Sequence, residues 1–324
     1  PRRRPAPDLS DRHRHAGAGG RMSSVGPPRH LHFSKHHGAG NDFLVLLDGD
    51  DDGALSGAQV RALCDRRRGL GADGLLRVTP GRAGTDLAME LTNADGGPAE
   101  MSGNGIRCLV QGAVDAGWVG PGSVTVATAA GVRTVDYRVG DRPGLGLARV
   151  DMGSAVLGPE LAPGDRPPEL AGPLRHARTV DMGNPHIVLA GGPVDDDMVR
   201  VVGRRLEHSV AGRANVEFVW PTTEVDTLTL RVWERGVGPT LACGTGTCAA
   251  AAAAHAWGLV SSAVRVHNPG GTLEVELTAE GITLAGPTQW VADVDVDPDV
   301  LSALVTAGDR PGVPAAVTGV ASGP

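Results

Sequence analysis

Aromatic residues are scarce: three Phe, one Tyr and five Trp make up 3% of 324 residues. A chain so poor in rings offers no aromatic-studded basic stripe, and its net charge of −7 repels a phosphate backbone. Nucleic acid is therefore not expected as the main partner. Long apolar runs are missing too, and none approaches the roughly 18 residues of a membrane span. Cysteine is confined to Cys64, Cys108, Cys243 and Cys248, without Cys-x-x-Cys or a His pairing at zinc-finger spacing. That pattern argues against a disulfide scaffold or a zinc knuckle and for a reduced, cytoplasmic protein.

What the chain has in quantity is glycine (48) and proline (24), within 41% hydrophobic and 21% charged residues. Its core must be built from Val, Leu and Ala, with many tight turns. The length suffices for two domains. Residues 1–30, rich in Arg, Pro, Gly and His but lacking an apolar h-region, read as a disordered extension rather than a secretory signal, with Met22 the expected start. Residues 301–324 read as a flexible tail.

Between these ends, β-like runs alternate with helical ones. "DFLVLLD" (42–48), "GLLRVT" (74–79) and "TDLAMELTN" (85–93) read as strands by alternation and turn-forming bounds. "SGAQVRALCDRR" (56–67) reads as an amphipathic helix, with Ser56 as N-cap and Val60, Leu63 and Cys64 on one face. "GNGIRCLVQGAVDAG" (103–117) reads as a helix ending at Gly117. "GLGADG" (69–74) fits a dinucleotide fingerprint, but a strand follows it instead of a helix, so a glycine turn is expected.

An internal repeat is more informative. Gly40-Asn41-Asp42-Phe43 resembles Gly183-Asn184-Pro185-His186, and Asn41 lies 61 positions before Ser102 as Asn184 lies 59 before Cys243. Nine positions before Ser102 stands Asn93; nine before Cys243 stands Glu234. Three matches in register predict a duplicated α/β unit, with two halves facing each other across a cleft.

"AEMSGNGIRCL" and "TLACGTGTCAA" then become opposing walls of that cleft. A helix N-terminus leaves backbone N–H groups unpaired and carries partial positive charge. Gly103-Asn104 and Gly244-Thr245 can therefore grip one carboxylate from two sides. Ser102 and Cys243 would flank the adjacent carbon, which suits proton removal from one face and delivery to the other. Such a site needs no metal and no cofactor, because the paired dipoles stabilise the developing enolate-like charge. The helix terminus is also expected to lower the Cys243 pKa. Asn41, Asn93, Asn184 and Asn215, with Glu234-Arg235, suit a charged, multi-headed substrate; each asparagine alone is equally a turn-former. His186 is a candidate for tuning a nearby thiol.

Together, "KHHGAGNDF" (35–43), "RRRGLGADG" (66–74), "NADG…GNGIRC" (93–108), "GNPH" (183–186) and "RVWERGVGPTLACGTGTCAA" (231–250) resemble the diaminopimelate epimerase family, from about Phe33 to about Asp297. The resemblance implies conversion of LL-2,6-diaminoheptanedioate to the meso form, in lysine biosynthesis, without pyridoxal phosphate or metal. It implies an α/β (α+β) fold of two pseudo-symmetric domains, each a mixed β-sheet or barrel wrapped round a central helix. The expected first domain is 31–146 plus 288–300 and the second 147–287, in a homodimer. Carried over, Cys243 matches one catalytic cysteine, and Gly103, Asn104, Gly244 and Thr245 the carboxylate grip. Asn41, Asn93, Asn184, Asn215, Glu234 and Arg235 match substrate-binding positions, and His186 and Glu234 residues that tune the cysteines.

At the other catalytic cysteine the chain departs, with Ser102. Cys108, six residues on, lies more than a turn into the helix and cannot stand in. A serine hydroxyl is a far weaker acid than a thiol, so Ser102 is no resting base, although it can donate a proton or hold a water that does. The substitution leaves open a working Ser/Cys epimerase, a racemase or epimerase of another amino acid, and a weakly active ligand-binding relative.

Overall fold

The computed structural model describes residues 30–308 apart from 52, 100, 171–173 and 210–212. The expected extension, except for His30, lies outside the described residues, as does 309–324 of the expected tail. The first half runs β1 (Leu31–Gly38), β2 (Asn41–Leu47), α1 (Gly57–Cys64), β3 (Gly74–Pro80), β4 (Leu87–Asn93), β5 (Pro98–Ala99), α2 (Gly103–Asp115), β6 (Gly122–Thr128), β7 (Gly131–Val139) and β8 (Leu145–Asp151). β9 (Val156–Glu160) and two 3-10 turns lead into the second half. It runs β10 (His176–Asp181), β11 (Pro185–Ala190), α3 (Asp196–Leu206), β12 (Asn215–Pro221), β13 (Thr227–Glu234), β14 (Gly238–Thr240), α4 (Gly244–Ala256), β15 (Ala263–Asn268), β16 (Gly271–Leu277) and β17 (Ile282–Val296). A last helix, α5 (Pro298–Gly308), follows.

The repeat seen in the motifs is a repeat of ladders. β1–β2 is antiparallel, β2–β3 parallel across α1, β3–β4 antiparallel, β4–β6 parallel across α2, and β6–β7 antiparallel. β10–β11, β11–β12, β12–β13, β13–β15 and β15–β16 follow the same succession across α3 and α4. The short β5 on β4 is answered by β14 on β13. β17 joins the halves: Ile282–Ala285 pairs with β16, Thr283–Gln289 with β8 and Gln289–Val296 with β1. With β7–β8, those pairings close β1, β2, β3, β4, β6, β7, β8 and β17 into a barrel.

α2 and α4 are the cores of the two halves. Ala249–Ala254 are all buried, and Ile106, Cys108, Leu109, Val110 and Ala113 are fully enclosed. A helix apolar all round has no solvent face and must be surrounded. Alanine also adds helix propensity and a thin radius, which lets strands close round α4.

Local signals set the element ends. Ser56 caps α1 in a capping box with Gln59. The helix stops at Cys64, short of the expected 67, because the Asp65 carboxylate takes the N–H groups of Arg67 and Arg68 at 2.8 and 2.9 Å. α2 ends at Asp115, two residues short of the expected Gly117, whose φ of +76° makes the left-handed turn that follows the helix. "GLGADG" is a turn into β3, as its context implied. β4 starts at Leu87, two residues late, because the Asp86 carboxylate turns aside to the Thr125 N–H at 2.8 Å.

The tail expectation needs correction over 301–308, which continues α5. Leu301 is 1% exposed and packs with Phe33, Val60, Leu63 and Val296, so apolar burial holds the helix against α1 and β1. Leu301→Ala should cost about 2–5 kcal/mol in urea denaturation; an unchanged midpoint would mean that α5 is not docked.

Candidate active site

Ser102 is the N-cap of α2, and its Oγ accepts the Gly105 N–H at 3.0 Å. Cys243 is the N-cap of α4, and its Sγ accepts the Gly246 N–H at 3.4 Å. Each cap takes the third N–H of its helix, which leaves the first two, Gly103-Asn104 and Gly244-Thr245, without a partner inside the helix. The termini meet head to head: a Cβ on Gly244 would stand 3.1 Å from the Gly103 Cα and 3.3 Å from its nitrogen. A side chain on Gly244 would crowd that approach, and one on Gly103 would press on Leu284 and Met152.

The Asn104 side chain ties the walls together, donating to the Ala242 carbonyl and to Asn41 Oδ1, each at 3.2 Å. Arg107, fully buried one turn deeper, donates to Asn104 Oδ1 at 2.8 Å and to the Gly103 carbonyl at 3.0 Å. Burial pulls its guanidinium down to about 10. The grip thus rests on a buried cation that is still protonated at neutral pH.

The other expected residues lie around these turns. Asn41 opens β2 and donates to Asp73 Oδ2 at 2.8 Å. Asn93 ends β4, paired with Gly74 of β3. Asn184 Oδ1 meets His186 Nε2 at 3.0 Å. Asn215 opens β12 and accepts the Arg235 N–H at 2.8 Å, which shapes the turn carrying Arg235. Glu234 ends β13 and accepts from the Thr240 hydroxyl. A cleft of about 630 Å³ is lined by Asn41, Asp42 and Asp73 from one half and Arg231, Thr240 and Leu241 from the other; Ser102 and Cys243 are not in its lining. No group of three or more His, Cys, Asp or Glu side chains among the described residues is placed to hold a metal ion.

Two acidic residues enter that sequence reasoning missed. Glu217, 0% exposed in β12, lies 2.7 Å from His186 Nδ1. Its signal was a charge inside the apolar strand "NVEFVW", where an acid needs a partner. Asp73 joins Asn41, the Asp42 N–H and Arg66 at 2.8, 3.1 and 2.6 Å. It was hidden in a stretch read only as a turn.

The expected lowering of the Cys243 pKa is overturned. Burial drives it well above the usual thiol value, Glu234 and Glu217 push it further, and the Thr245 and Gly246 hydrogen bonds offset only part. Desolvation by the packed walls outweighs the helix terminus. Cys243 is therefore a thiol in the free protein. Burial also lifts Glu234 to about 7, against the Thr240 hydrogen bond and with help from Asp73 and Glu217. Cys108 is pushed up to about 11 in the core, away from the cleft. Because the folded pKa of Glu234 is raised, its contribution favours folding at low pH and is lost as pH climbs from about 4.5 to about 7. Thermal midpoints of wild type and Glu234→Gln should diverge across that window, the wild type falling more; parallel curves would refute the shift.

Comparison with known proteins follows the same lines. The diaminopimelate epimerase family profile matches residues 33–158 and 178–291. The diaminopimelate epimerase of Leptospira biflexa is 37% identical over 279 residues, covering 82% of this chain and 99% of its own. That of Synechocystis is 39% identical over 276 residues, covering 81% and 97%, and that of Burkholderia pseudomallei 41% identical over 285 residues, covering 81% and 96%. Among solved structures, a hydroxyproline epimerase from Agrobacterium vitis matches with a TM-score of 0.62 at 16% identity, covering 84% of this chain and 94% of its own. A phenazine biosynthesis protein from Bacillus anthracis also matches at 0.62, with 15% identity and coverage of 83% and 99%. At such identities these structures speak for the fold alone. The profile and the relatives carry the family: this chain belongs to the diaminopimelate epimerases.

Proposed function

We propose that the protein is an isomerase that converts LL-2,6-diaminoheptanedioate to the meso form by proton transfer at the α-carbon, without a cofactor. The observation that carries this reading is the head-to-head contact of α2 and α4, with Ser102 and Cys243 as their caps. The N–H groups of Gly103, Asn104, Gly244 and Thr245 hold the α-carboxylate, and its negative charge offsets the two positive helix ends. When the α-hydrogen leaves, the electron pair spreads into that carboxylate, where the same N–H groups stabilise it. Cys243 works on one face as thiolate base and thiol acid, tuned by His186 and Glu234. Ser102 donates a proton on the other face. Asn41, Asn93, Asn184, Asn215 and Arg235 read the distal amino and carboxylate groups.

In this reading the two repeats are two domains, 31–146 plus 288–300 and 147–287, with β17 passing between them. The protein is cytoplasmic, where buried thiols stay reduced, and by its family a homodimer. Incubation with the LL substrate in D₂O should yield meso product carrying α-deuterium. Cys243→Ala should abolish both signals, and Ser102→Cys should raise the isomerisation rate by about 100-fold, the scale of one well-placed acid–base group. No isomer and no deuterium would overturn the reading. Faster turnover of a monocarboxylic amino acid would assign the site to another substrate.

A further inference from the structure

The repeat gives each half an asparagine where its second strand begins, and the halves fasten it by opposite ends of the amide. Asn184, just before β11, turns its Oδ1 to His186 Nε2 at 3.0 Å. Asn41 instead engages its nitrogen, and Nδ2 donates to Asp73 Oδ2 at 2.8 Å. A carboxylate can only accept, so Asp73 requires a donor from Asn41.

The opposite requirement comes from α2. A guanidinium can only donate, and Arg107 gives an Nη2 hydrogen to Asn104 Oδ1 at 2.8 Å. The Asn104 nitrogen is left to donate, and its two bonds go to Asn41 Oδ1 and the Ala242 carbonyl, each at 3.2 Å. Arg107, Asn104, Asn41 and Asp73 thus form one chain in which every hydrogen bond is donated in the same sense, from cation to anion. Neither amide can turn over without setting donor against donor at one end and acceptor against acceptor at the other. Bonds aligned in this way polarise one another.

Asp73 is itself pinned. Arg66 donates to its Oδ1 at 2.6 Å and the Asp42 N–H to its Oδ2 at 3.1 Å. Its own N–H donates to the Asp42 carbonyl at 2.9 Å, and its carbonyl accepts the Ala94 N–H at 3.0 Å, next to Asn93. Arg66 also holds Asp42 at 2.6 and 3.2 Å, and Lys35 reaches that carboxylate at 2.9 Å. Asp73 lines the cleft between the halves together with Asn41 and Thr240. Burial raises Glu234 in the opposite half, and the Asp73 charge adds to that rise.

We propose that Asp73 is a positioning residue for the reaction: as the anionic end of this chain it fixes the Asn41 amide, and through Asn41 it holds Asn104 on the Ala242 carbonyl and keeps the carboxylate grip in register across the two halves. Its kinetic consequence rests on the epimerase reading above; the chain of hydrogen bonds does not. Asn104 supplies one N–H of the grip, and its side chain ties the walls. Without the Asp73 carboxylate, Asn41 is held at one end only and Asn104 loses a fixed acceptor. The substrate carboxylate then meets two helix ends that are less well aligned. No proton moves to or from Asp73 in this role.

The test is a pair of double-variant cycles on the full chain. In steady-state isomerisation of the LL substrate, Asp73→Ala should raise KM about tenfold, the scale of one hydrogen bond to a charged group. Asn41→Ala should raise it at least as far, and the double variant no further than Asn41→Ala. Partial unfolding would lower kcat and leave KM unchanged, so the KM shift separates positioning from packing. An unchanged KM in Asp73→Ala, or a double variant whose effect is the product of the two single ones, would overturn the proposal. The second cycle reads urea midpoints and needs no substrate. Asp73→Ala and Asn104→Ala together should destabilise less than the sum of their separate effects, and should become additive once Asn41→Ala removes the link between them. Additivity in both backgrounds would overturn the proposal whatever the activity. Neither isomerisation nor deuterium exchange by the wild type would overturn the epimerase reading, and the urea cycle alone would then decide the role of Asp73.

Discussion

The molecule depends on one close contact, the meeting of two helix N-termini at Gly103 and Gly244. Two positive helix ends repel, and their leading N–H groups are desolvated as they approach. The barrel round α2, the strands round α4 and the Asn104 bridge to Ala242 hold them there. Arg107 adds a further buried positive charge behind the contact, with its Nε lacking a hydrogen-bond partner among the described residues. The result is a preorganised site for an anion, in which binding relieves a strain that folding built in. In the proposed reaction, substrate carboxylate and transition-state charge would draw on the same N–H groups, so the charge that grows during proton removal would meet dipoles already in place.

Duplication explains the frame, and departures from duplication explain the chemistry. The two halves share ladder order, helix placement and capping geometry, so each half carries a cap side chain on the third N–H of its central helix. The residues behind the caps obey no such symmetry: Glu234 answers Asn93, His186 answers Phe43 and Glu217 answers Leu76. Acidic groups accumulate on the Cys243 side, and their mutual repulsion together with burial keeps both Cys243 and Glu234 protonated beyond their ordinary ranges. Leu76 and Phe43 stand at the matching place behind Ser102. The serine is therefore one part of a polarised site rather than an isolated exchange of one atom.

Legibility in the sequence followed the range of the interactions. Ser56, Gly117 and the Gly-rich turn before β3 were readable because capping, left-handed turns and glycine geometry act within a few residues. Ser102, Cys243 and their helices were readable for the same reason, and the spacing of Asn41 and Asn184 to them showed the repeat. α5 was missed because its stability comes from Leu301 docking on α1 and β1, more than 200 positions away in the chain. Glu217 and Asp73 were missed because their meaning lies in partners on other strands. The direction of the Cys243 shift was misjudged because a local argument from one helix terminus left out the desolvation that the second half imposes.

The sequence by itself determined the α/β character, the duplicated plan, the two capped helix starts and the identity of the two capping side chains, since propensity, capping and spacing are properties of neighbouring residues. Tertiary structure alone decided that the two helix ends touch, that Glu217 pairs with His186, and that burial makes Cys243 a thiol at rest. Those outcomes arise from dielectric, close approach and charge brought together from distant strands, and none of these exists until the chain has folded.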